Sequence, residues 1–242
     1  RERRGNVHAW VHGFLATATR EPAPAAPLTD DDIERWLGTF LRRRSRLALF
    51  LDYDGTLAAL CRHPSEAVMT DEMRGAFEAC ALHPNIDVAI VSGRALSDVR
   101  DMVGDERVTY AGNHGLEIEG PGLAPFRHED LVHYERRIAA LTEELEAAEE
   151  ARRIINEFGF QAREAKMAVE GRPPIGWDKG RAVLHVLRAR YGPGWSEQVR
   201  VVYVGDDQTD EDAFRFLQGL ARTFRVGSAD TATAAHHRLS DT

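Results

Sequence analysis

Only two cysteines, Cys61 and Cys80, occur in 242 residues. No disulfide framework can brace the fold, and neither cysteine belongs to a CxxC or Cys/His spacing that would hold zinc. Both read as small buried hydrophobes in a protein of a reducing compartment. No apolar run reaches the roughly 18 residues of a membrane span, and the charged beginning lacks a signal-peptide pattern. An excess of positive charge is missing too: 31 Lys and Arg stand against 39 Asp and Glu, a formal charge of −8. Such a surface repels phosphate backbones and anionic lipid, so no nucleic-acid or membrane partner is expected, and a cytoplasmic location is. An anionic small molecule would need a local positive site or a cation. With 43% hydrophobic residues, 20 Gly and 10 Pro, the chain is neither disordered nor collagenous and can bury a large core.

Residues 1–20 read as a polar start followed by one helix, with Val7, Trp10, Val11, Phe14 and Leu15 at helical spacing, and then the extended spacer Glu21-Pro-Ala-Pro-Ala-Ala-Pro27. The chain does not begin with Met, and this first helix is expected to be the end of something larger. A second helix opens at Thr29-Asp30-Asp31-Asp32 and closes on Arg42-Arg43-Arg44, acids at its positive end and bases at its negative end. From residue 47 the pattern changes. Short apolar runs at 47–51, 88–91, 108–111, 199–204 and 223–226 alternate with amphipathic stretches at 71–82, 96–102, 180–191 and 211–220. Continuous β-branched runs separated by helices predict an α/β fold, a doubly wound parallel sheet whose ligands bind beyond the carboxyl ends of the strands. Residues 116–175 break the alternation and predict a small inserted α+β cap, with a strand or strand pair at 160–169. Within it, apolar spacing runs nearly unbroken from Leu131 to Gly159. That stretch is either one long helix or two helices that have lost what joined them. The expected organisation is therefore an amino-terminal part (1–46), a core in two pieces (47–115 and 176–242) and the cap between them.

Four clusters carry chemistry, three of them directly after apolar strands. In Asp52-Tyr53-Asp54-Gly55-Thr56, two acids can face one site as the chain leaves the sheet, and Gly55 permits the tight turn. Acids delivered into a cleft need a cation, and Mg²⁺ is the natural one. Ser92-Gly93-Arg94 offers a hydroxyl and a guanidinium, Lys179 a positive point charge at a helix start, and Gly205-Asp206-Asp207-Gln208-Thr209-Asp210-Glu211-Asp212 an acid run at a strand-to-helix junction. Each alone has an ordinary structural reading: a cap, a turn, a solvated lysine, acids serving a helix dipole. Their order together describes attack on a phosphate whose charge is neutralised by a metal and an ammonium group.

Over residues 47–226 these motifs resemble those of the haloacid dehalogenase superfamily of phosphatases. The resemblance implies Asp52 as nucleophile and Asp54 as general acid and base, with Ser92, Gly93 and Lys179 holding the phosphoryl group. It also implies Mg²⁺ bound by Asp52, the Asp54 carbonyl and Asp206, with Asp210 or Asp207 next in line. A proton shuttle at Asp54 suits a carboxyl raised in pKa by a neighbouring acid. Five stretches (49–57, 110–117, 169–174, 176–180 and 205–214) look more narrowly like the signatures of trehalose-6-phosphate phosphatases. That likeness implies hydrolysis of trehalose 6-phosphate, with Arg94, Asn113, His114, Glu117, Lys166 and Glu170 as substrate contacts. Residues 7–15 are similar to the last helix of a trehalose-6-phosphate synthase, which implies a fused or associated synthase. One departure stands out: the family's cap has a strand-rich segment between two helices, where Glu149-Glu150 here runs straight into Ala151-Arg152-Arg153. Two other functions compete, phosphatase action on another sugar phosphate and a non-catalytic sugar-phosphate-binding domain supporting a synthase. His236-His237 reads as solvated tail.

Overall fold

The computed structural model describes residues 29–40, 46–61, 63–131, 133–134, 155, 157, 159–165, 168–228 and 231–240. The helix and spacer expected over 1–27, the Arg42–44 helix end, most of the long helical pattern after 134, and Lys166 lie outside them.

Among the described residues, eight strands form one sheet: β1 (Arg46–Leu51), β2 (Ile86–Val91), β3 (Thr109–Gly112), β4 (Glu117–Glu119), β5 (Phe126–Arg127), β8 (Val199–Gly205), β9 (Arg222–Val226) and β10 (His237–Leu239). Their order is β10-β9-β8-β1-β2-β3-β4-β5. Every pairing from β10 to β3 is parallel, while β4 and β5 add an antiparallel edge. The helices are α1 (Asp30–Phe40), α2 (Asp71–Leu82), α3 (Leu96–Val103), α4 (Lys179–Tyr191), the single turn α5 (Trp195–Gln198) and α6 (Gln208–Phe216). A separate antiparallel hairpin, β6 (Gln161–Ala165) and β7 (Ala168–Arg172), supplies the strand pair expected near 160–169. No helix among the described residues is long and apolar enough to cross a membrane.

The central strands are apolar on both faces because both are covered. Ala48, Phe50, Val201 and Tyr203 pack with Ala182, Val183, Val186 and Leu187 of α4 and with Phe214 and Leu217 beside them. On the other face, Leu51, Val88 and Ile90 pack with Phe77 of α2 and Val99 and Val103 of α3. Cys61 and Cys80 are free and half-buried against that second cluster.

Local chemistry sets the helix boundaries. Thr70 starts α2 by accepting the Met73 N–H at 3.1 Å, with Asp71 and Glu72 in the first turn. The bounds match the expected 71–82 for that reason. Helix α6 departs from expectation, beginning at Gln208 rather than 211 because Asp207 caps it. The last strand corrects a second reading. His236 is not solvated tail: its Nδ1 accepts the Thr223 N–H at 3.3 Å, and His237 lies in β10 with its ring against Phe224. Two buried arginines hold this carboxyl-terminal stretch, Arg238 donating to the Ser228 carbonyl at 2.8 Å and Arg225 pairing with Glu211.

Parallel register aligns the strand ends. Leu51 of β1 sits opposite Ile90 of β2 and Val204 of β8. The residues that follow, Asp52, Ser92 and Asp206, therefore emerge side by side at one edge of the sheet, and the Asp52 N–H donates to the Val204 carbonyl at 2.9 Å.

Candidate active site

Lys179 is the first residue of α4, started by Asp178, which accepts the Arg181 N–H at 2.9 Å. A Cβ on Gly180 would collide with Phe216, so α4 and α6 approach closely. That approach carries the Lys179 ammonium between two acids. Its Nζ donates to Asp52 Oδ1 at 2.7 Å and to Asp210 Oδ1 at 2.8 Å, with all three side chains buried. Carboxylate oxygens of Asp52, Asp206 and Asp210 lie within 4.8 Å of one another.

Charge in this cluster does not balance. Burial pushes Asp52 well above the usual carboxylate range; Lys179 opposes this, and Asp210, Asp207 and Asp206 reinforce it. Burial likewise raises Asp210, to about 6, against the pull of Lys179. Burial works to lower Lys179, but Asp210 and Asp52 overcome it and hold the ammonium charged. One ammonium cannot neutralise the acids around it, so the site has a place for a further cation. Its shape agrees. Gly55 (φ +82°) follows Asp54, and a Cβ there would occupy the space of the Asp206 carboxylate. Three buried carboxylates around a glycine cradle suit a hard, oxygen-seeking ion such as Mg²⁺. Gly55→Ala is expected to lower turnover on the order of 100-fold or more by displacing Asp206. Steady-state kinetics across a Mg²⁺ titration would check this.

The acid run after β8 divides its work. Asp206 and Asp210 join the cluster. Asp207, expected as a possible metal ligand, caps α6 instead, its Oδ1 accepting the Thr209 and Asp210 N–H groups at 2.7 and 3.0 Å. Burial raises its pKa, but Lys179 and these hydrogen bonds prevail and hold it low. Glu211 turns to Arg225, and Asp212 pairs with Arg215 at 3.1 Å.

Asp54 also differs from expectation. The group beside its side chain is a guanidinium rather than another acid: Arg94 Nε and Nη2 donate to its two oxygens at 2.7 and 2.6 Å, and Nη2 also reaches the Pro64 carbonyl. The Arg94 guanidinium lies over the Tyr53 ring, 5.6 Å from its centroid. Asp54 enters the turn at 55–57, closed by the Leu57 and Ala58 N–H groups on the Tyr53 carbonyl, and the buried Tyr53 donates its hydroxyl to the Ala67 carbonyl at 2.9 Å. Tyr53 thus separates the two acids onto different partners.

Ser92 is buried at the end of β2, where its Oγ accepts the Arg94 N–H at 3.1 Å. The Asn113 N–H donates to the Arg94 carbonyl at 2.7 Å and the His114 N–H to the Ser92 carbonyl at 2.8 Å. Both residues are left-handed, at φ 49° and 56°, an uncommon conformation for non-glycine residues. His114 fills the space a side chain at Gly93 would need. Asn113 Nδ2 donates to Glu117 at 2.5 Å, and the Trp177 indole holds the turn from below through the Gly115 carbonyl at 2.9 Å. Ser92, Gly93, Arg94, Asn113, His114 and Glu117 therefore form one connected rim, joined to Asp54 through Arg94. Glu170 stands on β7 opposite Arg163, in the separate hairpin.

The mostly parallel sheet with acids beyond β1 and β8 has the haloacid dehalogenase-like fold. It superposes with a TM-score of 0.67 at 19% identity on the carboxyl-terminal domain of a Candida albicans trehalose-6-phosphate phosphatase, covering 90% of this chain and 94% of that one. With the haloacid dehalogenase superfamily phosphatase BT1666 of Bacteroides thetaiotaomicron the score is 0.54 at 15% identity, over 82% and 91%. A sequence profile described as Trehalose-phosphatase matches residues 50–158 and 131–239. A probable trehalose-phosphate phosphatase of Oryza sativa subsp. japonica is 30% identical over 282 aligned positions, 88% of this chain and 75% of that protein. The chain belongs to the trehalose-phosphatase family of phosphoric monoester hydrolases. Since 88% of 242 residues is about 213, the 282 aligned positions leave this chain shorter than its relative within the aligned span. The profile also matches 131–158 twice, on the stretch where Glu150 runs into Ala151.

Proposed function

We propose that this chain hydrolyses trehalose 6-phosphate to trehalose and phosphate by way of a phosphorylated Asp52. The observation that carries the reading is the buried Lys179 ammonium bonded to both Asp52 and Asp210. Two of its three N–H groups are spent there, and the third is available to an oxygen of a transferring phosphoryl group. Asp52 attacks phosphorus, and the bond from phosphorus to the sugar oxygen breaks. Asp54 gives its proton to that oxygen, then takes one from the water that attacks the phosphorylated Asp52. Phosphate leaves and Asp52 is restored. Arg94, which holds both oxygens of Asp54 in this structure, would turn toward the substrate's anionic group before the first step and free Asp54 for the leaving oxygen. Ser92 and the Gly93 backbone take the phosphoryl oxygens.

Asp52, the Asp54 carbonyl and Asp206 would hold Mg²⁺, which would supply positive charge to the phosphoryl oxygens. The rim of Asn113, His114 and Glu117, with Lys166 and Glu170 of the insert, would take the sugar hydroxyls. Residues 116–175 would form the cap, with β4 and β5 anchoring its start to the main sheet.

Phosphate release from trehalose 6-phosphate, glucose 6-phosphate and sucrose 6-phosphate tests the assignment. The disaccharide of trehalose is expected to be preferred at least tenfold; equal rates on all three would remove the sugar assignment, and no release from any would favour a binding domain. Mg²⁺ at about 100 times its Kd should stabilise metal-free protein by about 2.7 kcal/mol, a rise in Tm of roughly 5–11 °C. Differential scanning calorimetry reads this, and Asp206→Asn should abolish it.

A further inference from the structure

Tyr203 plays no part in the scheme above, yet it lies directly beneath the site. It is fully buried in β8, at the level of Phe50 on β1 and Thr223 on β9. Its ring packs edge-on against Phe214 with centroids 5.8 Å apart. Neighbouring positions of β8 are Val201, Val202 and Val204, and a phenylalanine would satisfy the same packing. The one atom that packing does not require is the hydroxyl, and it donates to Asp210 Oδ1 at 2.6 Å. A phenol in so apolar a place needs a partner.

The partner is the acid that holds the lysine. Asp210 Oδ1 accepts from Tyr203 and from Lys179 at 2.8 Å, while Oδ2 accepts the Asp206 and Asp207 N–H groups at 3.0 and 3.1 Å. Four donors fill the roughly four acceptor positions of a carboxylate and leave it one orientation. A Cβ on Gly205 would run into this carboxyl, so the space beside it is closed as well. Lys179 is shared between Asp210 and Asp52 at nearly equal distances. With the phenol removed, Oδ1 has the ammonium as its sole side-chain donor and draws it away from Asp52.

We propose that Tyr203 is a positioning residue of this active site, which fixes the Asp210 carboxylate and, through it, the place of the Lys179 ammonium beside Asp52. Its kinetic consequence rests on the phosphatase reading above; its structural consequence does not. In Tyr203→Phe, kcat should fall about 10- to 100-fold, the range for loss of a group that orients another, with KM within about twofold. Inhibition by vanadate, whose geometry resembles the transferring phosphoryl group, should weaken in step with kcat. On an Asp210→Asn background the same substitution should add nothing, because its effect passes through Asp210.

A direct readout is available because Lys166 and Lys179 are the only lysines in the chain. Protein labelled with ¹⁵N at lysine gives two ammonium signals, and Lys179→Arg identifies the buried one. Tyr203→Phe should shift or broaden that signal and leave the other in place. Turnover within twofold of the parent with an unmoved ammonium signal would overturn the proposal, as would additive effects of the two substitutions. If Tyr203→Phe does not fold, site-specific fluorination of Tyr203, which strengthens the phenol as a donor, must move the same signal; an unmoved signal overturns the proposal. A parent protein that releases no phosphate from any substrate would defeat the phosphatase reading, and the ammonium signal would then decide the role of Tyr203 by itself.

Discussion

Asp52→Asn should reduce turnover by a factor on the order of 10⁴ or more, the scale on which removal of a nucleophile acts, while the protein stays folded. The amide keeps the size of the carboxyl and its contact to the Lys179 Nζ, which lies 2.7 Å from Asp52 Oδ1. It discards a negative charge from a site where burial and three other acids already push Asp52 upward. Repulsion among the acids therefore falls, and Tm should hold or rise. Binding sites often lose activity and gain stability together when a destabilising group is neutralised. Phosphate release measured beside a thermal melt tests both halves. A variant with more than a hundredth of parental turnover would remove Asp52 from the chemistry.

Lys179→Met should damage both properties. The ammonium is 3% exposed and is the cation shared by Asp52 and Asp210. Removing one side of a buried ion pair costs about 3–5 kcal/mol, or roughly 6–20 °C in Tm for a domain of this size. Turnover should fall about 10²- to 10³-fold from lost charge stabilisation of the phosphoryl group. Mg²⁺ should recover part of the stability, since a second cation relieves the same repulsion, but not the turnover. Lys179→Arg should fail as well. A planar five-donor fork does not fit a site built for a compact charge between two oxygens. The composition agrees, since the chain meets nearly all its need for basic residues with arginine, lysine being confined to Lys166 and Lys179. Retention of full turnover by Lys179→Arg would show that only charge, and not its placement, matters.

These two residues were legible in the sequence for different reasons. Asp52 follows five apolar residues of β1, so it had to emerge at a sheet edge. Lys179 gave a weaker signal, a lone cation at a helix start, and gained meaning from its order among the other motifs. The acid run after β8 was legible only as a group. Asp206, Asp207, Asp210, Glu211 and Asp212 all suit the start of a helix, and nothing in their spacing says which one caps α6 and which one meets Arg225. The partner of Asp54 is not legible in the sequence, because two acids two residues apart suggest mutual influence. Tyr53 between them is buried through its hydroxyl contact to Ala67, and Arg94 arrives from 40 residues away. Strands β4 and β5, of three and two residues, are too short to show a period. Their place on the sheet comes from pairing with β3. Tyr203 left a faint signal, one hydroxyl within the apolar run Val201-Val202-Tyr203-Val204.

The amino-acid sequence by itself determined the parallel core and the strand ends at which its acids emerge, because burial on both faces demands continuous apolar runs and polar residues can follow only where those runs stop. Which acid meets which cation was decided by the tertiary structure alone. Parallel register put Asp52 beside Asp206, the close approach of α4 to α6 brought Lys179 to Asp210 from 31 positions away and to Asp52 from 127, and such distances of a few ångströms follow from packing, not from spacing along the chain.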